Sequence, residues 1–286
     1  MIRALAPAKI NLTLEVLRRR DDGYHEIRSV LQTIDLRDEL LFEEAGALTL
    51  TAEGPHTASE DDLVIRAARL LGSAAARAPG AAIHLRKRIP VGAGLGGGSS
   101  DAAAALSALN EMWDLRLGGE RLAALAAEIG SDVSFFLTGG TALAEGRGER
   151  VTPLANLPAT WMVLLIPPIS MPDKTRRMYG ALTERDFSDG SRTERLVRLI
   201  GGGRPVTGAD IYNAFDRAAG KVFQGLDEHR RRMLDAGAGA VHLAGAGPAL
   251  FALAADERAA RALAGRLASP AAAALAVRTL PAGEAI

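Results

Sequence analysis

The most informative stretch of this sequence is Pro90-Val91-Gly92-Ala93-Gly94-Leu95-Gly96-Gly97-Gly98-Ser99-Ser100. It follows residues 81–89, which are predicted to form a strand, and precedes an alanine-rich segment predicted to be a helix up to about residue 112. Glycine adopts positive φ at little cost and lets the backbone approach a ligand closely. The start of the following helix offers unpaired N–H groups and the positive end of its dipole. The stretch therefore predicts a site for nucleotide phosphates, with the hydroxyls of Ser99 and Ser100 as further donors or metal ligands.

Three other interpretations of this stretch are weaker. A flexible turn before a serine-capped helix needs one or two glycines, whereas this many impose a large entropic cost on folding. Gly92, Gly94 and Gly97 fit the G-x-G-x-x-G pattern of dinucleotide-binding proteins. However, the stretch follows several earlier elements, and no convincing acidic residue ends a second strand about 20 residues further on. The Walker pattern fails because Ser99 follows Gly98 where lysine is required.

The composition is that of an ordinary globular protein. Of 286 residues, 48% are hydrophobic and 24% are charged, and 34 basic residues balance 34 acidic ones. A general nucleic-acid or membrane-surface binder would need a basic excess, so we expect neither partner. The absence of cysteine excludes disulfides and thiolate nucleophiles and fits a cytoplasmic location. Residues 1–14 match a signal peptide poorly, and the apolar run Trp161–Ile166 is too short to cross a bilayer.

The periodicity of apolar residues predicts an α+β protein. Residues 10–16 alternate apolar and polar side chains, so Lys9 and Asn11 share the polar face of a strand. The other predicted strands lie at residues 27–36, 40–42, 81–89, 161–166, 240–243, 249–254 and 274–280. The predicted helices lie at residues 64–71, 99–112, 120–129, 209–223 and 256–267, and the polar stretch 171–204 has only weak periodicity. Prolines near residue 157 predict a division into domains at 1–157 and 158–286.

Two short motifs supply candidates for catalysis. Lys9 and Asn11 could contact an acidic partner and a substrate hydroxyl together, although most Lys-x-Asn pairs lie on an exposed strand face. Asp132 lies in Gly130-Ser131-Asp132-Val133-Ser134-Phe135-Phe136, where it could cap a helix or accept the proton of an attacking hydroxyl. In the second case Lys9 would keep Asp132 ionised. Phosphoryl transfer needs mainly positioning and charge neutralisation, so one base, one cation, Mg²⁺ and a phosphate loop suffice.

Together, these motifs resemble those of the GHMP kinases, the family of galactokinase, homoserine kinase and mevalonate kinase. Residues 90–100 are similar to the ATP-binding loop of that family. The resemblance implies ATP as co-substrate with Mg²⁺, and Lys9 and Asp132 as the catalytic residues. It also implies a two-domain α+β fold, in which an N-terminal ribosomal-protein-S5-like α/β domain binds ATP and a C-terminal ferredoxin-like α+β domain follows.

A fourth motif, Asp22-Gly23-Tyr24-His25-Glu26, resembles one group within the family. These kinases act in the non-mevalonate isoprenoid precursor pathway, on the 2-hydroxyl of a cytidine diphosphate-linked methylerythritol. The resemblance implies that Asn11 and His25 contact the substrate and that Tyr24 stacks on its cytosine ring. Tyr179 is a candidate for a second aromatic ring of that stack. Without the resemblance, the motif predicts only a hairpin turn with Tyr24 packed beneath it.

The chain departs from the family pattern near its C-terminus. The last glycine turn, Ala244-Gly245-Ala246-Gly247-Pro248, has alanines where hydroxyl-bearing residues are common. Gly245 and Gly247 still allow substrate or phosphate to approach the backbone, but a plain hairpin turn is a competitive explanation. Ser134 stands where proline usually follows Asp-Val, and we expect little effect from this change.

We therefore expect a cytoplasmic kinase, a monomer or weak homodimer, whose partners are ATP and a cytidine diphosphate-linked small molecule. A homoserine or mevalonate type of kinase remains open, and so do a catalytically silent nucleotide-binding module and a dinucleotide-dependent oxidoreductase. The presence of both Lys9 and Asp132 argues against the silent module.

Overall fold

The computed structural model describes residues 1–54, 59, 61–75, 80–270 and 272–284. Its first sheet is built on a long antiparallel hairpin of β1 (Ile2–Arg19) and β2 (His25–Glu44). The connecting turn contains Gly23 at a φ of +82°, which confirms the turn predicted at Asp22-Gly23. The stretches predicted at residues 27–36 and 40–42 are one continuous strand.

Four further strands complete most of this sheet: β3 (Leu48–Glu53), β4 (Ala81–Arg86), β5 (Thr141–Gly146) and β6 (Arg150–Pro153). β4 pairs with the second half of β2, and β3 pairs in parallel with β4. β5 pairs with the first half of β2, and β6 pairs with β5. The middle of the hairpin, which carries Lys9 and Asn11, is therefore the centre of the sheet.

Four helices from the first half of the described chain pack against the first sheet: α1 (Leu63–Ala74), α2 (Gly97–Met112), α3 (Gly119–Ile129) and α4 (Val133–Thr138). The helices predicted at residues 64–71, 99–112 and 120–129 are confirmed. Ala102, Ala103, Ala104 and Ala105 of α2 are all fully buried. Small side chains on every face let α2 lie close to its neighbours, and this close packing holds the start of α2 in place.

The second sheet has the order β11-β7-β10-β9. Its strands are β7 (Trp161–Ile166), β9 (His242–Leu243), β10 (Leu250–Leu253) and β11 (Ala273–Arg278). The helices of this half of the chain are α5 (Lys174–Gly180), α6 (Ser191–Gly201), α7 (Asp216–Val222), α8 (Leu226–Asp235) and α9 (Glu257–Leu267). The α+β class is confirmed.

The single helix predicted at residues 209–223 is wrong. The structure has a 3-10 turn at Gly208–Asp210, a short strand β8 (Tyr212–Asn213), and only then α7. β8 pairs in parallel with Thr13 and Leu14 of β1, because this tertiary pairing outweighs the local helical pattern. The polar stretch 171–204 also contains more structure than its weak periodicity indicates, namely α5 and α6.

β8 belongs to the second half of the sequence but joins the first sheet. The division into domains at residue 157 stays a prediction. Of the helices in the described part of the chain, none has both the length and the apolar character that crossing a bilayer requires.

Candidate active site

The polar face of β1 is buried in the centre of the molecule. Lys9 Nζ donates to Asn11 Oδ1 at 2.8 Å, and Asn11 Nδ2 donates to Ser29 Oγ at 2.8 Å. Ser29 Oγ in turn donates to the carbonyl of Thr13 at 2.5 Å. Lys9 and Asn11 share one face of β1, as the alternation of apolar and polar residues predicts, but this face is buried instead of exposed. This chain of hydrogen bonds holds the amide of Asn11, and with it the ammonium of Lys9, in one orientation.

Asp132 faces Lys9 from the loop before α4. Its Oδ2 lies 3.5 Å from Lys9 Nζ, and its side chain is 39% exposed where that of Lys9 is 6% exposed. Asp132 holds the N-cap position of α4, yet within this described segment its carboxylate makes no capping hydrogen bond. The carboxylate is thus paired with a buried cation and still open to solvent, which suits a group that must accept a proton from a ligand.

The glycine-rich stretch leaves the start of α2 open. Gly92, Gly94 and Gly96 have φ values of +73°, +93° and +74°, a region that side chains with a Cβ rarely adopt. α2 begins at Gly97, two residues before the predicted start, and among the described residues no side chain caps this end. Its first N–H groups therefore remain available to an anion.

The glycine-rich stretch lies directly against Lys9 and the last glycine turn. Lys9 N donates to the carbonyl of Leu95 at 2.9 Å, and Ala249 N donates to the carbonyl of Ala93 at 3.1 Å. A Cβ added to Gly94 would lie 2.9 Å from both N and O of Gly247, and closer still to a neighbouring carbonyl oxygen. Glycine is therefore required at residue 94 for both its φ and its close contacts.

The last glycine turn also reaches the catalytic candidates. A Cβ added to Gly245 would lie 3.0 Å from Lys9 Nζ and 3.3 Å from Asn11 Oδ1. The turn joins β9 to β10, which are paired, so it is a hairpin turn as well as a wall of the site. Asn213 Nδ2 holds the turn by donating to the carbonyls of Leu243 at 3.0 Å and Gly245 at 2.8 Å. Asn213 is not among the predicted site residues, because it lies in the segment predicted to be a helix.

A buried ion cluster supports the base of the glycine-rich stretch. Lys87 Nζ lies 2.6 Å from Asp38 Oδ2 and 2.5 Å from Asp101 Oδ2. Asp38 Oδ1 also accepts from the N–H groups of Arg88 and Ile89 at 2.5 and 2.7 Å. The cluster thus ties β2 to both ends of the stretch. Burial raises the pKa of Asp101 to about 8, with Asp38 acting in the same direction and Lys87 opposing it.

A second lysine, Lys174, approaches the site from α5. Its Nζ donates to the carbonyl of Gly247. Burial, and then the charge of Lys9, lower the pKa of Lys174 to about 8, while Asp132 acts in the opposite direction. Lys174 lies in the polar stretch 171–204, where nothing in the sequence distinguishes it from its charged neighbours.

An aromatic cluster lies next to this site. The rings of His25 and Tyr179 are stacked, with centroids 4.7 Å apart and planes at 19°. Phe187 contacts the His25 ring edge-on at 6.0 Å, and Phe215 contacts Tyr179 edge-on at 4.9 Å. Burial, and then the charge of Arg19, lower the pKa of His25, so its ring favours the neutral form. The charge of Asp132 and, above all, burial raise the pKa of Tyr179.

Tyr24 is 55% exposed, so it is not packed beneath the hairpin turn. The guanidinium of Arg147 lies 4.7 Å from the centroid of the Tyr24 ring. The structure therefore brings together Lys9, Asn11, Asp132 and both glycine turns, and it places His25 against Tyr179. The Tyr24 ring is exposed, so a planar ligand could reach it.

The part of the chain that the structure describes holds no group of three or more His, Cys, Asp or Glu residues that could bind a metal ion. Mg²⁺ bound to a nucleotide needs only one or two protein ligands, because phosphates and water supply the others. Ser100 Oγ is buried at the start of α2 and has no hydrogen-bond partner among the described residues. An unpartnered hydroxyl at this position fits a phosphate oxygen or a phosphate-bound cation.

The comparison with known proteins agrees with this geometry. Residues 62–140 match the model of the GHMP kinases N terminal domain, and residues 203–273 match that of the GHMP kinases C terminal domain. The chain is 45% identical over 258 residues to the 4-diphosphocytidyl-2-C-methyl-D-erythritol kinase of Dehalococcoides mccartyi, covering 90% of each protein. It is 44% identical over 270 residues to the enzyme of the same name from Pelotomaculum thermopropionicum, covering 93% of each.

Solved structures give the same result. A crystal structure of 4-(cytidine 5'-diphospho)-2C-methyl-D-erythritol kinase superposes with a TM-score of 0.82 at 38% identity, covering 97% of this chain and 99% of the other. A homoserine kinase from Cytophaga hutchinsonii shares the fold with a TM-score of 0.75 at 19% identity, covering 98% and 95%. The two-domain GHMP kinase fold is therefore confirmed. This chain belongs to the 4-diphosphocytidyl-2-C-methyl-D-erythritol kinases, a group of the GHMP kinase family.

Proposed function

We propose that this protein transfers the γ-phosphoryl group of ATP to the 2-hydroxyl of 4-diphosphocytidyl-2-C-methyl-D-erythritol. The observation that carries the proposal is the direct contact between the glycine-rich stretch and Lys9, which forms an ion pair with Asp132. The names of the similar proteins support the choice of substrate. In this arrangement a phosphate chain on residues 90–100 ends next to a carboxylate that can accept a proton.

The triphosphate binds to backbone N–H groups of the stretch and of the first turn of α2, where the helix dipole favours negative charge. The positive φ values of Gly92, Gly94 and Gly96 allow this backbone to turn toward the ligand. If Mg²⁺ accompanies the nucleotide, the hydroxyls of Ser99 and Ser100 are the candidate protein ligands that would hold it with the phosphates, and it would supply charge neutralisation.

Asp132 is the general base, and Lys9 is the supporting cation. A hydroxyl placed beside Asp132 gives up its proton to this carboxylate as its oxygen forms the new bond to phosphorus. The ammonium of Lys9 lies 3.5 Å from Asp132 Oδ2 and forms an ion pair with this carboxylate. Asn11, fixed by its bond to Ser29 Oγ, supplies an amide that can orient the substrate hydroxyl.

The aromatic cluster would bind the cytosine ring. The planar face of cytosine can stack on the ring of Tyr24 or Tyr179, and a neutral His25 can donate and accept hydrogen bonds at the edge of the base. Tyr179 stacks on His25, the residue proposed to contact the base edge. Tyr24 precedes His25 in the sequence and its side chain is exposed. Gly245 and Gly247 would face the phosphate groups through their backbones.

Detection of ADP formation with three alcohols tests the proposal. We expect turnover with 4-diphosphocytidyl-2-C-methyl-D-erythritol and little with homoserine or mevalonate, since only the first presents a pyrimidine base. Equal turnover of all three would refute the substrate assignment. A protein that binds ATP in a thermal-shift assay but forms no ADP with any alcohol would be a silent nucleotide-binding module.

A further inference from the structure

Lys174 presents a cation to the site without a matching anion. Its side chain is half-buried, and its ammonium donates to the neutral carbonyl of Gly247. Asp132, the acidic residue of the site, forms its ion pair with Lys9. No carboxylate among the described residues forms an ion pair with Lys174, and the lowered pKa reflects burial and the repulsion from Lys9.

Such a charge is costly for the folded protein. An ammonium that is partly removed from water loses hydration, and only an opposite charge or several hydrogen bonds offset that loss. Lysine has three N–H donors, and the carbonyl of Gly247 uses one of them. Two donors and one positive charge are left for a ligand that is itself anionic.

The position of Lys174 indicates which anion this is. Gly247, whose carbonyl accepts the hydrogen bond from Lys174, packs against Gly94 of the glycine-rich stretch. The charges of Lys9 and Asp132 both act on Lys174. The ammonium therefore lies where the phosphate-binding backbone meets the pair proposed to activate the hydroxyl.

We propose that Lys174 is a second catalytic cation, which donates to oxygens of the phosphoryl group as it passes from ATP to the alcohol. This inference rests on the proposed function. In phosphoryl transfer the negative charge is spread over the three equatorial oxygens of the transferred group, and catalysis consists mainly of neutralising that charge. Lys9 is already engaged by Asp132 and Asn11, so of these two lysines Lys174 is the one free to do this.

The variants K174M and K174R test the assignment, with K221M as the matched control. Lys221 is exposed on α7. We expect K174M to lower kcat about 10²- to 10³-fold, as is usual when one donor to a transition-state charge is removed. The KM values for ATP and for the alcohol should change less than about threefold, because the contact forms mainly in the transition state. K174R should retain more activity than K174M, and K221M should match the wild type.

Two further measurements separate catalysis from a structural role. K174M should unfold at the same temperature as the wild type or higher, because it removes an unpaired charge, whereas loss of a structural lysine would lower that temperature. The charged groups that act on Lys174 are Lys9 and Asp132. With a pKa of about 8, Lys174 should lose its proton and reduce kcat/KM above that pH, and K174R should not show this fall because arginine stays protonated.

A K174M variant with kcat within threefold of the wild type would overturn the inference. So would a higher KM for the cytidine substrate at unchanged kcat, which would place Lys174 on the diphosphate of the substrate. Failure of the wild type to phosphorylate the cytidine substrate would refute the proposed function instead. Lys174 would then be judged with the acceptor that the wild type does use, water included, because the inference needs only transfer from ATP.

Discussion

Replacing Gly94 by alanine tests the contact between the glycine-rich stretch and the last glycine turn. The new Cβ would lie 2.9 Å from N and O of Gly247, both backbone atoms, at a residue with a φ of +93°. Gly92→Ala is the matched control, since Gly92 has a similar φ of +73° and no heavy atom of the described structure within 4 Å of the added Cβ. Both variants therefore carry the same backbone penalty, and only G94A also carries the collision.

The expected difference follows from these contacts. The backbone penalty of alanine at positive φ is about 1–2 kcal/mol in either variant. Normal contact distances require the two turns to separate by about 1 Å around residue 94. That movement breaks the hydrogen bond from Ala249 N to the carbonyl of Ala93, at present 3.1 Å long. A buried backbone group left unpaired costs about 1–3 kcal/mol. We therefore expect G94A to lose about 1–3 kcal/mol more unfolding free energy than G92A.

Urea unfolding followed by the fluorescence of Trp113 and Trp161 measures this difference, and ADP formation measures activity. If G94A folds with the turns displaced, kcat/KM should fall about 100-fold, the usual effect of a 1 Å misplacement in an active site. Equal destabilisation by both variants, with G94A as active as the wild type, would show that the two glycine turns do not touch in solution.

Three further predictions concern single side chains. Asp132→Asn should lower kcat about 10²- to 10⁴-fold while ATP still raises the unfolding temperature, and substantial residual activity would remove Asp132 as the base. Tyr179→Ala should raise the KM for the cytidine substrate about 3- to 10-fold without changing the KM for ATP, and Tyr179→Phe, which keeps the ring, should not. Because burial raises the pKa of Asp101 to about 8, the folded state holds a proton that the unfolded state has lost, so stability should fall as pH rises from about 4 to 8. Asp101→Asn should reduce that fall in thermal unfolding across this pH range, and identical pH profiles for wild type and D101N would contradict this. Asp38→Asn should also reduce the fall, because the charge of Asp38 then no longer raises the pKa of Asp101 and Lys87 keeps Asp101 as its partner.

The motifs of the site were predictable because each is local in sequence. The period of two in residues 10–16 places Lys9 and Asn11 on one face of a strand. In the structure Lys9 Nζ lies 2.8 Å from Asn11 Oδ1. The glycines of residues 90–100 indicate a backbone with positive φ before a helix, and that is the observed conformation. The α+β class and the family follow from the order of such local patterns.

Other parts of the site depend on contacts between distant segments. The strand β8 is only two residues long, and it exists because β1 offers it a parallel partner; local propensity therefore favoured a helix at residues 209–223. Lys174 looks like any surface lysine in its sequence context, and only the packing of α5 on the last glycine turn sets it beside Gly247.

Periodicity and turn chemistry are properties of neighbouring residues, so the amino-acid order alone was enough for the strand carrying Lys9 and for the glycine-rich stretch before a helix. The resemblance of these local motifs to known ones was enough for the kinase family. Burial and charge pairing depend on which segments meet after the chain has folded. The approach of Asp132 to Lys9, and the contact of Lys87 with Asp38 and Asp101, arise from that long-range packing. The sequence therefore identifies the functional side chains. The packing of the two sheets and their helices determines the distances between these side chains and their charge states.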